Sequence, residues 1–418
     1  MYIESIRLKN FKSCRSVQIS DIPRLCVVVG ANGVGKTTLF EVFAFLKDSL
    51  VFTVRHALQR RGGFREVLSR EVSAEEGIEI ELGLRHRMNG ADRRLSYLLH
   101  IGEQQERAVV LRELLRYVPD PQRADGHEAE ALLDFTKGDG YIRDGAEEGD
   151  GHSHPGSRLR LGSREQDQVV PDVLAIGSLG HFQELHVAPL VRQLIENIYI
   201  SDVRVGDVRG SKEASGADEY LSVTGDNLQR VAYNLYRNHP DIFERILKRL
   251  RRSVPGVETV TPRRTEDGRL LLQFGDAAFR DPFSDRYVSD GTLKMFAYLV
   301  LLYEPRHHAL LCIEEPENQL YRSLLWELGE DFRAYAERGG QVLITMAAWP
   351  FWPLVMNCLT PLSAYSPPSR VAVVRTADAS LPACGSVRQK APRMSPRAAG
   401  TSHCCFCACV PYFMRMAL

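Results

Sequence analysis

The stretch Gly30-Ala31-Asn32-Gly33-Val34-Gly35-Lys36-Thr37-Thr38 constrains this chain more than any other. Its spacing, G-x-x-x-x-G-K-[ST], belongs to loops whose backbone N–H groups curl around phosphate oxygens, a curl that glycine permits. In such a loop a lysine, here Lys36, places a mobile charge between the β- and γ-phosphates, and a hydroxyl, here Thr37, ligates Mg2+. The flanks agree with this reading. Leu25 to Val29 is a continuous apolar run, as in a strand buried on both faces, and Leu39, Phe40, Val42, Phe43 and Leu46 recur at helical spacing. Strand, loop and helix together predict a nucleotide-binding α/β domain.

The second informative stretch starts at Tyr287. The turn Ser289-Asp290-Gly291 heads an apolar segment that reaches Tyr303, so Ser289 or Asp290 is expected to cap a helix, whose N-terminal end would accept an anion. Ala309 to Ile313 is a short buried-type strand ending in Glu314 and Glu315. A phosphate-loop enzyme needs one carboxylate near the metal and another to polarise the attacking water, and a strand end supplies both at fixed positions.

Elsewhere the pattern is coarser. Ile3, Ile6 and Leu8, then Val17 and Ile19, suggest an antiparallel opening pair, and Ile78 to Ile101 reads as further strands with a turn at Asn89-Gly90. Residues 137–171 are rich in Gly, Asp, Ser, Arg and His, which predicts a flexible surface loop without chemistry. Asp226 to Asn238 and Asp241 to Arg252 carry helical spacing on either side of Pro240, and Asp267-Gly268 turns the chain into a hairpin.

The opening IRLKNFKS, the phosphate loop, the SDGT turn and the EEPENQLY run together resemble the ABC-type head ATPases of the RecF, OLD and structural-maintenance-of-chromosomes kind, in their compact form without a long coiled coil. The resemblance rests on residues 1 to about 60 and 280 to about 346. It implies a P-loop α/β fold of ABC-head type, with a mixed central sheet, an N-terminal antiparallel β lobe and a helical lobe. The expected divisions are 1–60 plus 280–346 as ATPase core, 61–136 as a β-rich insertion, 137–171 as loop, 172–279 as helical lobe and hairpin, and 347–418 as an aberrant tail. The implied cofactors are ATP and Mg2+. Gly30, Asn32, Gly33, Gly35, Lys36, Thr37 and Thr38 resemble the Walker A loop, and Lys12 and Ser13 resemble residues that touch nucleotide from the first strand pair. Thr37 and Glu314 would hold the metal, and Glu315, with Lys36, would carry the catalysis. Ser289, Asp290 and Gly291 resemble the signature that caps a partner subunit's γ-phosphate, and Asn318 to Tyr321 the loop crossing between subunits. The implied partners are a second copy around ATP, DNA, and a separately encoded nuclease-like protein, in DNA maintenance or anti-phage defence.

Two family features are not where they should be. A glutamine coupling the lobes has only Gln59 and Gln104 as candidates, and each reads better as a surface residue. The strand Gln341 to Thr345 should end in a histidine that senses the γ-phosphate, yet Met346-Ala347-Ala348-Trp349 follows. An ATP-dependent binding switch with negligible turnover is therefore the alternative function.

Composition changes at the same point. Lys plus Arg and Asp plus Glu both number 53 over the 418 residues, but beyond residue 346 the charged residues are nearly all basic, leaving the preceding body mildly acidic. The tail also gathers six of the nine cysteines. Back-translation of Thr345 to Pro350, read one base earlier, gives a His-Gly pair when the third base of the Thr codon is C. A one-base frameshift after Thr345 would thus explain both the lost histidine and the altered composition. The rivals are a metal site using His403, Cys404, Cys405, Cys407 and Cys409, whose spacing is too tight for the usual zinc pairs, and a genuine divergent tail. Balanced charge leaves DNA contact to local clusters, Arg60, Arg61 and Arg65, or Lys248, Arg249, Arg251 and Arg252, each of which also reads as a solvated face. The longest uncharged apolar run, Met295 to Tyr303, is too short to span a bilayer, and Glu4, Arg7 and Lys9 stand where a signal peptide would be apolar, so a cytoplasmic location is expected.

Overall fold

A computed structural model describes residues 1–88, 91–118, 131–143, 158–161, 172–178, 187–210, 212–213, 218–347 and 371–375. Strands β1 (Tyr2–Phe11), β2 (Cys14–Ile19) and β3 (Leu25–Gly30) lead into helix α1 (Lys36–Val51) and the short α2 (Val54–Gln59) and α3 (Phe64–Val67). Then come β4 (Ile78–Met88), β5 (Ala91–Gln104), β6 (Arg107–Val118), β7 (Ala131–Thr136), β8 (Asp139–Arg143) and β9 (Arg158–Leu161). The middle holds α4 (Ala175–Ser178), α5 (Val187–Glu196), β10 (Ile198–Ser201), α6 (Val205–Val208), β11 (Lys212–Glu213), α7 (Leu228–Asn238) and α8 (Pro240–Ser253). Strands β12 (Val257–Arg264), β13 (Arg269–Asp276) and β14 (Phe283–Ser284) precede α9 (Asp290–Tyr303), β15 (Leu310–Glu314), α10 (Arg322–Glu337), β16 (Val342–Ala347) and β17 (Val371–Arg375).

A five-stranded sheet in the order β10-β15-β16-β3-β17 forms the centre, and each of its pairings is parallel. Parallel strands read as unbroken apolar runs because both faces are covered, and here alternate residues enter different cores. Cys26, Val28, Cys312 and Leu343 pack into one core with α1 and the N-terminal strands. Val27, Ile313, Ile344 and Met346 face the other, with α7 to α10. The mixed character expected of the sheet thus belongs to the molecule: a parallel layer beside a separate antiparallel one.

That antiparallel layer has eight strands in the order β2-β1-β4-β5-β6-β7-β8-β9. Pairs such as Ile6 with Leu82 run β1 directly into β4, so strands β4 to β7, from the range expected as a β-rich insertion, continue the opening strand pair in one sheet. Residues 137–171, expected as a loop, contribute β8 and β9, because Tyr141 and Ile142 pair back onto Asp134 and Leu133 of β7. The Asn89-Gly90 turn lies outside the described residues. The two layers are joined by Gln341, whose Oε1 accepts from Ile3 N at 2.9 Å and whose Nε2 donates to Ile3 O at 2.7 Å.

Residues 172–279 hold the two expected helices, with Pro240 at the first turn of α8, where its missing N–H costs nothing. The same range gives β10 to the central sheet and the β12–β13 hairpin to a small third sheet. From the segment expected as an aberrant tail, Val371–Arg375 pairs with β3 as the outer parallel strand. The His403 to Cys409 cluster lies outside the described residues. No helix among the described residues is long and apolar enough to cross a membrane.

Candidate functional site

The phosphate loop connects β3 to α1 at the carboxyl edge of the parallel sheet, the usual place for a ligand in such folds. Gly33 and Gly35 have φ of 84° and 90°, values that L side chains resist, and Gly35 directly precedes α1. A Cβ on Gly35 would lie 3.2 Å from Ser13 Oγ. Ala31, Asn32, Gly33 and Thr37 are exposed, whereas Lys36 is buried. Its Nζ donates to Gly30 O at 2.8 Å and Ala31 O at 3.0 Å and stands 3.9 Å from Glu315 Oε1. The loop therefore wraps its own ammonium group, in the place where a phosphate would be gripped.

Glu314 closes β15, two strands from β3, and its Oε1 accepts a hydrogen bond from Thr37 Oγ1. A hydroxyl and a carboxylate so close form a hard oxygen pair of the kind that shares one small divalent cation with phosphate oxygens. Among the described residues no group of three or more His, Cys, Asp or Glu could hold a metal by itself.

The turn after Glu314 is unusual. Glu315 and Gln319 have φ of 41° and 68°, and non-glycine residues held there cost on the order of 1–3 kcal/mol each unless their surroundings fix them. Asn318 Nδ2 donates to Glu315 Oε2 at 3.0 Å, and Lys294 Nζ to Asn318 O at 2.7 Å. Glu317 Oε1 accepts from Ala347 N at the end of β16 at 2.7 Å. Burial pushes the Glu317 carboxyl above its ordinary range and the Lys294 ammonium below its own; Glu317 and Asp202 pull Lys294 partly back.

Helix α9 begins as its sequence predicts. Ser289, not Asp290, is the cap, with its side chain accepting from Thr292 N at 3.2 Å. Arg209 braces the approach to the helix: its guanidinium donates to Asp285 O, Arg286 O and Val288 O and pairs with Asp290. Gly291 is needed for close packing, because a Cβ there would meet Gln319 O and Leu324 Cδ1 at 3.3 Å. Ser289 and Asp290 remain exposed, flanked by Tyr287 at 82% and Tyr321 at 74% exposure.

Other expected residues fall into place or away from it. Ser13 Oγ lies 3.0 Å from Thr38 Oγ1, and Lys12 Nζ pairs with Glu41 at 2.6 Å, so the β1–β2 turn abuts α1. Gln59 ends α2 and Gln104 ends β5 in the antiparallel sheet, so neither stands on the carboxyl edge of the parallel one. That edge is extended by Asp202, which follows β10 beside β15. Met346, where a histidine was expected, is buried in the core. The basic clusters are engaged locally: Arg60 and Arg61 on Asp48, Arg65 on Glu103, and Arg249 on Asp331 and Glu327. Arg249 is a half-buried structural residue held by Asp331 and Glu327, a correction to its reading as part of a solvated or DNA-facing patch. Sequence reasoning missed Lys294, Asp202 and Arg209. An ionisable residue at Lys294, in the middle of an apolar helix, is the one signal that pointed to any of them.

Residues 1–83 match the family described as AAA ATPase domain, and residues 208–345 the family described as AAA domain, putative AbiEii toxin, Type IV TA system. The curated protein "DNA replication and repair protein RecF" of Idiomarina loihiensis is 34% identical over 68 residues, 16% of this chain and 17% of that protein. The match thus spans about a sixth of that relative's length. Among solved structures, an SMC head bound to the C-winged helix domain of ScpA aligns over 86% of this chain and 92% of that chain, with 12% identity and a TM-score of 0.48. The SMC head domain from Thermotoga maritima aligns over 86% and 92%, with 13% identity and a TM-score of 0.39. Both family matches are AAA domains, one of them described as an ATPase, and they fall on the two sequence-distant segments from which this site is built, so the chain is similar to AAA-type ATPases in both.

Proposed function

We propose that this ATPase binds MgATP at the Gly30 to Thr38 loop, hydrolyses it with Glu315, and closes with a second copy of itself around the nucleotide. The convergence of Lys36, Thr37, Glu314 and Glu315, drawn from opposite ends of the chain, carries this reading. Lys36 exchanges its loop carbonyl partners for phosphate oxygens. Thr37 and Glu314 would hold Mg2+, which when bound neutralises phosphate charge. Glu315 orients the attacking water and accepts its proton. The exposed N-terminal end of α9, with Ser289 and Asp290, faces the partner's γ-phosphate, and Tyr287 and Tyr321 supply aromatic contact area around it.

The relatives' names, one in DNA replication and repair and one in a toxin system, favour a setting in DNA maintenance or phage defence. DNA and a nuclease-like partner belong to that setting. The second reading, a binding switch with little turnover, is favoured by Met346, whose buried thioether cannot sense phosphate. A frameshift after Thr345 is our account of that residue, and the gene sequence around codon 345 tests it.

Sedimentation of the Glu315→Gln protein tests the dimer. ATP should shift monomer to dimer, ADP far less, because the γ-phosphate is the bridging group. Ser289→Arg should block the shift while leaving ATP affinity intact, and Lys36→Ala should abolish both. An unchanged mass with ATP in folded protein defeats the sandwich, and unchanged phosphate release by Glu315→Gln removes Glu315 as base. Phosphate release at background by the parent chain favours the switch.

A further inference from the structure

Lys294 is 3% exposed, lies one turn into α9, and is used by no step above. Its ammonium donates to Asn318 O, and Asn318 in turn donates to Glu315. Beside it, Glu317 Oε2 and Tyr298 Oη are buried with no hydrogen-bond partner among the described residues, while Glu317 Oε1 holds the end of β16. A buried ammonium is costly to retain unless opposite charge and acceptors surround it. Here its surroundings are the turn that bears Glu315, and the carboxylates facing it are Glu317, Asp202 and Glu315. Gly291 of the same helix packs against Gln319 of the same turn.

We propose that Lys294 is a positioning residue for hydrolysis: its clamp on Asn318 O holds the Glu315–Gln319 turn in its left-handed conformation and ties the carboxylate of one subunit to the α9 face it offers the other. The proposal rests on Glu315 acting as the base and deepens that reading. Movement of α9 on contact with a partner's nucleotide would then be transmitted to Glu315 through two hydrogen bonds with Asn318 between them. The P-loop makes no hydrogen bond to Lys294, so ATP affinity should be independent of it.

The test uses the full chain carrying Lys294→Met, which keeps length and removes the donor. Lys294→Gln, whose shorter amide does not reach Asn318 O, replaces it if circular dichroism shows Lys294→Met to be unfolded. The expected result is a kcat lower by roughly 10- to 100-fold, as displacement of a catalytic group by an ångström produces, with KM and ATP affinity within about threefold. Hydrogen exchange should accelerate at amides 317–320 alone, leaving α1 and α9 protected. Unchanged exchange in that turn, or kcat and ATP affinity falling together, overturns the proposal. Glu315→Gln run beside it separates the two claims. If that variant hydrolyses normally, the base assignment fails, while exchange confined to 317–320 in the Lys294 variant still sustains the clamp.

Discussion

Thr37 Oγ1 donates to Glu314 Oε1 although 277 residues separate them, so the first turn of α1 and the end of β15 meet only in the folded chain. The pair is where Mg2+ would be held. Thr37→Val should therefore weaken ATP binding at least about tenfold in the presence of Mg2+ and hardly at all in EDTA. Titration under both conditions checks this, and an equal loss in each would assign the hydroxyl to phosphate.

Gly35→Ala places a Cβ at φ 90° and 3.2 Å from Ser13 Oγ. The left-handed backbone alone costs about 1–2 kcal/mol. We expect a lowered thermal midpoint together with loss of ATP binding, since relaxing the strain unwinds the loop. Normal affinity at reduced stability would show that the loop tolerates a shifted α1.

Glu315→Gln should retain ATP while turnover falls by about 10²-fold or more, because the amide is isosteric but accepts no proton. Single-turnover phosphate release measures it.

Glu113 gives a pH dependence. It is buried on β6, where its carboxylate accepts from Ala175 N at 2.5 Å, Ile176 N at 3.1 Å and Tyr97 Oη at 3.0 Å. Burial outweighs these bonds and pushes its pKa from 4.5 up to about 7. The folded state then holds a proton that the unfolded chain has released, so this residue's contribution to stability declines as pH rises from about 4.5 to about 7 and is flat above. Glu113→Gln should remove that slope, worth about 1–3 kcal/mol. Thermal melts of both proteins at pH 5 and 7.5 check it, and a parallel response would exclude Glu113 as the source.

Arg249→Met leaves Asp331, 5% exposed, without its cation. Breaking a buried pair from one side costs about 3–5 kcal/mol. Denaturant unfolding should show this loss, and DNA affinity measured on the folded fraction should be unchanged.

What could be read from sequence follows from how local each signal is. The places of the glycine-rich loop, Ser289 and the Glu314-Glu315 strand end in the fold were legible because fixed local spacing sets each at the end of an element. The β8 and β9 strands were hidden by a polar composition that suits an exposed edge as well as a loop. Arg249 was misread because Asp331, which faces it across α8 and α10, lies 82 residues away. Lys294 was visible as a charge in an apolar helix, but its meaning depends on Asn318, which the periodicity of α9 cannot reveal. The parallel sheet's neighbours were not legible at all, since strand order is a property of the whole chain.

The Gln341 bridge to Ile3, across 338 residues, joins the start of the sequence to a late strand, and β3 pairs with β16 and β17, both from the same late region. During synthesis, then, β3 leaves the ribosome with both edges bare and must wait for nearly all the described chain before either is covered. The antiparallel sheet, built from neighbouring hairpins, has no such delay. The nascent protein thus passes through a state in which a finished β lobe carries an apolar, unpaired strand next to an unformed phosphate loop, a state suited to chaperone capture and prone to aggregation. Nucleotide cannot assist at that stage, because half of its site has yet to be translated.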